Sequence, residues 1–211
     1  MIMFKNIVRC FAVLILLFSA ATNAYSASKT VLVVGDSLSA EYGLARGDGW
    51  VALLDQRLKE QKISASIVNA SVSGETTSGG RTRLPALLSK HKPDIVIIEL
   101  GANDGLRGLP VAAAQANLRA MVGASREAGA RVLLVGIRMP PNYGRDYADK
   151  FFAMYSAVSK DEKIPLAPFM FEGFAQKPEL FQADRIHPLA AAHPIILGNI
   201  WPHLQPILKT K

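Results

Sequence analysis

The sequence predicts an α/β protein: a three-layer α/β/α sandwich on a parallel sheet. Two observations carry that expectation. Short apolar runs rich in β-branched residues recur along the chain, as in strands buried on both faces. Stretches with helical spacing separate them, and such alternation implies right-handed crossovers with helices on both sides of the sheet. No repeat, low-complexity segment or linker breaks the order, so residues 25–211 read as one domain.

Val31-Leu32-Val33-Val34, ending in Gly35, predicts the first strand. Ile67-Val68-Asn69, Ile95 to Ile98 and Val132 to Val135 repeat its character, and Ile164 to Phe169 is a weaker fifth strand. Helical spacing runs over Trp50 to Glu60, Thr82 to Lys90, Ala112 to Ala128, Tyr147 to Lys160 and about Leu189 to Leu208. Pro194 predicts a kink in the last stretch or a helix that starts near it. Met139-Pro140-Pro141-Asn142-Tyr143-Gly144 reads as a defined turn after the fourth strand.

The first 24 residues follow a different pattern. Lys5 and Arg9 mark a basic start, and Phe11 to Ala21 is an almost unbroken apolar run, shorter than the roughly 20 residues that a membrane span needs. With small residues after it, this predicts a signal peptide cleaved after Ala24, Ala21 and Ala27 being the alternatives. Cys10 precedes the apolar run, which argues against a lipoprotein. The expected product is exported, periplasmic or secreted, with no stable membrane anchor. It would retain 22 basic and 17 acidic residues, a net +5, and no cysteine. That excludes a disulfide and a thiolate metal site. The basic residues are scattered without an aromatic-interleaved stripe, so nucleic acid is not an expected partner. Nothing in the sequence demands more than a monomer.

Ligands of open parallel sheets bind beyond the carboxyl ends of the strands. Ser37 follows the first predicted strand, Gly74 the second and Asn103 the third, while Asp184-Arg185-Ile186-His187 precedes the last helix. A serine hydroxyl becomes a competent nucleophile when a base within hydrogen-bond reach is oriented by a third group. His187 can be that base. Asp184, three residues earlier, can reach its other ring nitrogen. An oxyanion formed by attack on an ester would need fixed donors, and the Ser37 N–H, the Gly74 N–H and the Asn103 side-chain amide are available. Gly74, lacking a Cβ, allows close backbone approach.

These blocks resemble those of the GDSL or SGNH hydrolase superfamily, and most nearly its bacterial thioesterase I, arylesterase and lysophospholipase group. The resemblance rests on Gly35-Asp36-Ser37-Leu38-Ser39, Asn69 to Thr76, Asn103 to Gly108, Pro141 to Gly144 and Asp184 to Pro188, and runs from about Thr30 to Leu208. It implies Ser37 as nucleophile, His187 as general base and then acid, Asp184 as its partner, and an oxyanion hole of Ser37, Gly74 and Asn103. It also implies the flavodoxin-like strand order 2-1-3-4-5, acyl ester, thioester or lysophospholipid substrates, and a loop at about Asp104 to Pro110 that moves over substrate. Three positions depart from the pattern: Ala102 and Arg185 stand where glycine is usual, and Glu41 where a small residue is. Arg185 and Glu41 would add charge near the expected mouth.

Several residues have ordinary structural explanations. Asp36 and Asp104 are expected to hold loops by accepting from backbone amides. His91, His193 and His203 lack neighbours at metal-ligand spacing, and neither a metal nor a cofactor is expected. Trp50 and Trp201 are expected in the core. Leu106, Leu109, Met139 and Tyr143 are expected to line a substrate pocket. Two other functions remain open: a carbohydrate O-acetylesterase of the same superfamily, and a non-catalytic exported module that binds an acyl or phosphate ligand.

Overall fold

The computed structural model describes residues 28–209. The expected signal peptide lies outside them. Five strands, β1 (Lys29–Gly35), β2 (Ala65–Asn69), β3 (Ile95–Glu99), β4 (Arg131–Val135) and β5 (Leu166–Ala167), form one parallel sheet in the order 2-1-3-4-5. Central β1 pairs with β2 through Val31 opposite Ile67 and with β3 through Val31 opposite Ile95. The apolar runs are legible because Val31 to Val34 and Ile95 to Ile98 are fully buried, with layers on both faces.

The longer helices are α1 (Trp50–Glu60), α2 (Thr77–His91), α4 (Val111–Glu127), α5 (Arg145–Glu162) and α6 (His193–Lys209), with a single short helix α3 (Ala102–Leu106) after β3. Helices α2, α4 and α5 pack in series, whereas α1 packs on α6, giving the two outer layers. Trp50 is fully buried, as expected, and burying a large apolar side chain of this kind contributes on the order of 2–3 kcal/mol. Trp201 is only partly buried against the core, with the Arg57 guanidinium 5.4 Å from its ring.

Three elements differ from their sequence-based bounds for identifiable reasons. Helix α2 starts at Thr77 instead of Thr82, because the Thr76 hydroxyl accepts from the Gly79 N–H and caps it. The Gly79-Gly80 pair disguised this turn, yet Gly80 is there for packing: a Cβ would stand 2.3 Å from Leu100 Cδ1. Strand β5 shrinks to two residues between Pro165 and Pro168, which have no N–H to give to a ladder. Gly136 accommodates that crossing, since a Cβ on it would meet the Pro168 carbonyl at 2.2 Å. The last helix begins at His193, placing Pro194 in its first turn, where a missing N–H costs nothing.

Candidate active site

Gly35 ends β1 beneath the loop that carries Ser37. A Cβ there would lie 2.8 Å from Ser39 and 2.9 Å from Glu99 Oε2, so only glycine lets the chain turn over β3. Asp36 follows, fully buried, and its Oδ1 accepts from the Leu38 N–H at 3.0 Å. That short turn presents Ser37 at the carboxyl edge of the sheet.

Residues distant in sequence lock this turn. Val72 N–H donates to the Gly35 carbonyl at 3.0 Å, and the Asn69 amide donates to the Ser39 carbonyl at 2.7 Å. Arg83 of α2 pairs with Glu75 at 2.8 Å and donates to the Ala70 carbonyl and, at 3.4 Å, to that of Gly35. One guanidinium therefore ties the loops after β1 and β2 together. Sequence reasoning missed Arg83, whose partners come from different segments.

His187 Nε2 stands 2.8 Å from Ser37 Oγ, and His187 Nδ1 stands 2.7 Å from Asp184 Oδ2. The other Asp184 oxygen accepts from the backbone N–H groups of Ile186 and His187, at 2.9 and 3.0 Å. Partial burial works to raise the Asp184 pKa, but the His187 N–H, the His187 ring and the Ile186 N–H outweigh it and hold it at about 2. The aspartate is therefore charged at neutral pH and aimed at the imidazole. Arg185 lies between them with φ +59°, the left-handed turn that brings Asp184 back towards His187.

The N–H groups of Ser37 and Gly74 have no acceptor among the described residues, and both residues line one small cleft with Asn103 and His187. Gly74 has φ +79°, while a Cβ would meet nothing closer than Arg107 Nη2 at 3.9 Å. Backbone conformation, more than crowding, requires glycine here. The Asn103 amide nitrogen lies 3.1 Å from Asp36 Oδ2 and 3.0 Å from the Glu75 carbonyl, so its two hydrogens already have acceptors. Burial pushes the Asp36 pKa up to about 6, against the Leu38 N–H and Asn103, which favour its charged form.

The loop after β3 is shaped by Gly101, with φ +124°. There a Cβ would stand 2.4 Å from the Tyr155 hydroxyl, which donates to the Leu100 carbonyl at 3.0 Å. Asn103 and Asp104 thus sit in the short α3. Asp104 accepts from the Thr77 N–H at 2.8 Å and from its hydroxyl at 2.6 Å, joining α3 to the start of α2. Arg107 donates to the Gly74 carbonyl at 2.9 Å across the cleft.

The cleft encloses about 230 Å³ and is also lined by Tyr42, whose ring centroid is 4.3 Å from that of His187. Tyr42 was invisible as a site residue in the sequence; Gln182 holds its carbonyl at 2.9 Å. A larger cavity of about 460 Å³ adjoins the cleft, sharing Leu38, Ala102, Leu106 and Ile186 with it. Of the residues expected to line a pocket, Leu106 and Met139 line this one. Tyr143 and Leu109 do not: the Tyr143 hydroxyl donates to the Leu106 carbonyl at 3.3 Å, and Leu109 is exposed, its carbonyl accepting from Tyr147 at 2.9 Å.

Other sequence expectations are placed elsewhere. The Glu41 carboxylate accepts from the Gly47 and Gly49 N–H groups, both at 3.0 Å, and lines neither space. His193 is buried and accepts from the Trp50 N–H at 3.0 Å, with its pKa pushed down by burial. Among the described residues no group of three or more His, Cys, Asp or Glu side chains converges as a metal ion would need.

Residues 33–195 match the model of the GDSL-like lipase/acylhydrolase family. The chain is 51% identical to Esterase TesA of Pseudomonas aeruginosa over 183 residues, covering 87% of this chain and 91% of that protein. It is 42% identical to the thioesterase 1/protease 1/lysophospholipase L1 of Escherichia coli K12, over 99% of this chain and 98% of that one. The crystal structure of a psychrotrophic esterase, EstA from Pseudoalteromonas sp., inhibited by monoethylphosphonate, superposes with a TM-score of 0.81 at 41% identity, covering 86% of this chain and all of that one.

Proposed function

Since this chain belongs to the GDSL-like lipase/acylhydrolase family and is a carboxylic ester hydrolase, we propose that it cleaves esters and thioesters through an acyl-serine intermediate formed on Ser37. The observation that carries this reading is the continuous relay from Asp184 through His187 to Ser37, with links of 2.7 and 2.8 Å. His187 takes the hydroxyl proton as Ser37 Oγ bonds to the acyl carbon, and the charged Asp184 stabilises the resulting imidazolium. The imidazolium then gives that proton to the departing alcohol or thiol. Water, activated by His187, attacks the acyl-serine and releases the acid and the free serine.

The tetrahedral oxyanion takes the Ser37 and Gly74 N–H groups, which have no acceptor of their own. Each such donor contributes about 3 kcal/mol to lowering the barrier. Asn103 acts as the third donor, sharing an N–H now directed at Asp36 or the Glu75 carbonyl. The adjoining cavity takes the apolar part of the substrate, with Leu106 and Met139 on its walls. Tyr143 supports that cavity from outside it, its hydroxyl donating to the Leu106 carbonyl.

Aryl esters, thioesters and lysophospholipids are the proposed substrate classes; the last two are in keeping with the name of the Escherichia coli relative, and all three with a cavity far larger than an acetyl group requires. The basic start and apolar run of residues 1–24 support export to the periplasm or beyond. Among the described residues no helix is long and apolar enough to cross a membrane.

The mechanism is tested with p-nitrophenyl butyrate. Ser37→Ala and His187→Ala should each abolish turnover while circular dichroism and the melting temperature stay near those of the parent. Full activity in either variant overturns the reading. A series of acyl lengths tests the alternative acetylesterase, which would lose activity steeply beyond acetyl.

A further inference from the structure

The larger cavity is not uniformly apolar. Leu38, Leu106, Met139, Phe169 and Phe171 line it, and with them stand two guanidinium groups, Arg138 and Arg185, but no acidic residue. Neither arginine has a carboxylate partner among the described residues. Elsewhere in the molecule Arg83, Arg119 and Arg126 are each paired with an acid. Arg138 also borders a neighbouring hollow with Arg145 and Asp149, yet makes no ion pair with that aspartate.

What holds Arg138 is aromatic. Its guanidinium carbon lies 4.0 Å from the Phe152 ring centroid and 5.1 Å from that of Phe169. Stacking of this kind orients a guanidinium and leaves its N–H edge free to donate. Arg185 is held differently, by its backbone. Its φ of +59° is a conformation that favours glycine, so a long cationic side chain stands on the cavity wall where the local fold would more readily accept none. Both arginines are solvent-exposed, at the rim instead of the floor.

An acyl chain alone would leave both cations without a partner. We propose that Arg138 and Arg185 form an anion-recognition element of the substrate cavity, one that selects esters carrying a carboxylate or phosphate in addition to the bond being cleaved. That anionic oxygen group could sit on the far end of the acyl chain or on the headgroup of a lysolipid; the guanidinium chemistry is the same for both. The inference rests on the acyl hydrolase reading and adds a selectivity to it.

The test is a ratio of kcat/KM values, anionic over neutral substrate, measured at low and high salt. For the acyl-end source, mono-p-nitrophenyl suberate is compared with p-nitrophenyl octanoate. For the headgroup source, lysophosphatidic acid is compared with the monoacylglycerol of the same chain. Arg185→Gly suits the backbone conformation, and Arg138→Met retains an unbranched side chain against the two rings.

Each substitution should lower the ratio in one of the two pairs about three- to tenfold, the range expected between an exposed ion pair and a hydrogen bond to a charged group. Arg185→Lys should retain part of it, and added salt should shrink the parent's ratio. The pair that responds identifies where the anion sits. If neither pair's ratio changes in either variant, the proposal is overturned. Failure of the hydrolase reading looks different: the parent protein would then turn over neither neutral ester.

Discussion

Ser39 Oγ donates to Glu99 Oε2 at 2.6 Å while accepting from Trp50 Nε1 at 3.2 Å, so a carboxyl group with almost no exposure sits directly beneath the turn that carries Ser37. Burial pushes the Glu99 pKa well up, and the nearby Asp36 charge pushes it further. Asp36 itself is raised, by burial, from 3.8 to about 6. Between those values the unfolded chain has released the Asp36 proton and the folded protein still holds it. Folding stability should therefore fall as pH rises from about 4 to about 6 at this group, the reverse of the usual acid effect. Asp36→Asn should flatten that part of a stability–pH curve measured by urea unfolding. An unchanged slope would contradict the assignment.

Glu99→Gln keeps the shape of the protonated acid and its bond to Ser39, so it should unfold within about 1 kcal/mol of the parent. Glu99→Ala removes the acceptor of the Ser39 hydroxyl and leaves a void, and should cost on the order of 3 kcal/mol. Thermal melts of the two variants separate these outcomes.

Asp184, held at about 2, is ionised across the neutral range. Asp184→Asn should lower kcat by about 10³–10⁴ without loss of secondary structure, because an amide cannot stabilise the imidazolium or favour the correct tautomer. A loss below tenfold at neutral pH would count against the relay.

The Tyr42 ring covers one face of His187 and is half exposed. Tyr42→Ala should lower kcat roughly three- to tenfold, in line with the 0.5–1.5 kcal/mol typical of aromatic pairs, and barely move the melting temperature. Tyr42→Phe should restore the rate. Steady-state kinetics on one ester decides between packing and a requirement for the hydroxyl.

Gly74→Ala faces no steric obstacle within 3.9 Å, yet must adopt φ +79°. It should lose about 1–2 kcal/mol of stability from the left-handed backbone alone. Its kcat should fall as the peptide tilts to relieve that strain and moves the N–H facing the cleft. A rate equal to the parent's would remove Gly74 from the proposed oxyanion hole.

Much of this protein can be read directly from residue order. Buried parallel strands are apolar without interruption, so Val31 to Val34 and Ile95 to Ile98 announce the sheet. The loops at strand ends carry Ser37, Gly74 and Asn103 because the topology delivers them to one edge. Asp184 and His187 are close enough in sequence for one turn to join them. Element bounds were less legible where packing outweighed propensity: Gly80 reads as a helix breaker until Leu100 is seen against it.

By itself, then, the sequence determined the layer architecture and the groups available for acyl chemistry, since both depend on local pattern and on the order of the strand ends. Only the tertiary structure decided how those groups are held. Arg83 joining two loops, Tyr42 on the His187 ring, Glu99 beneath the Ser37 turn and the shared cavity of Arg138 and Arg185 are meetings of distant segments. No periodicity or short motif encodes them, because side-chain contacts between separate elements depend on the packed distances between those elements, which exist only once the layers have closed.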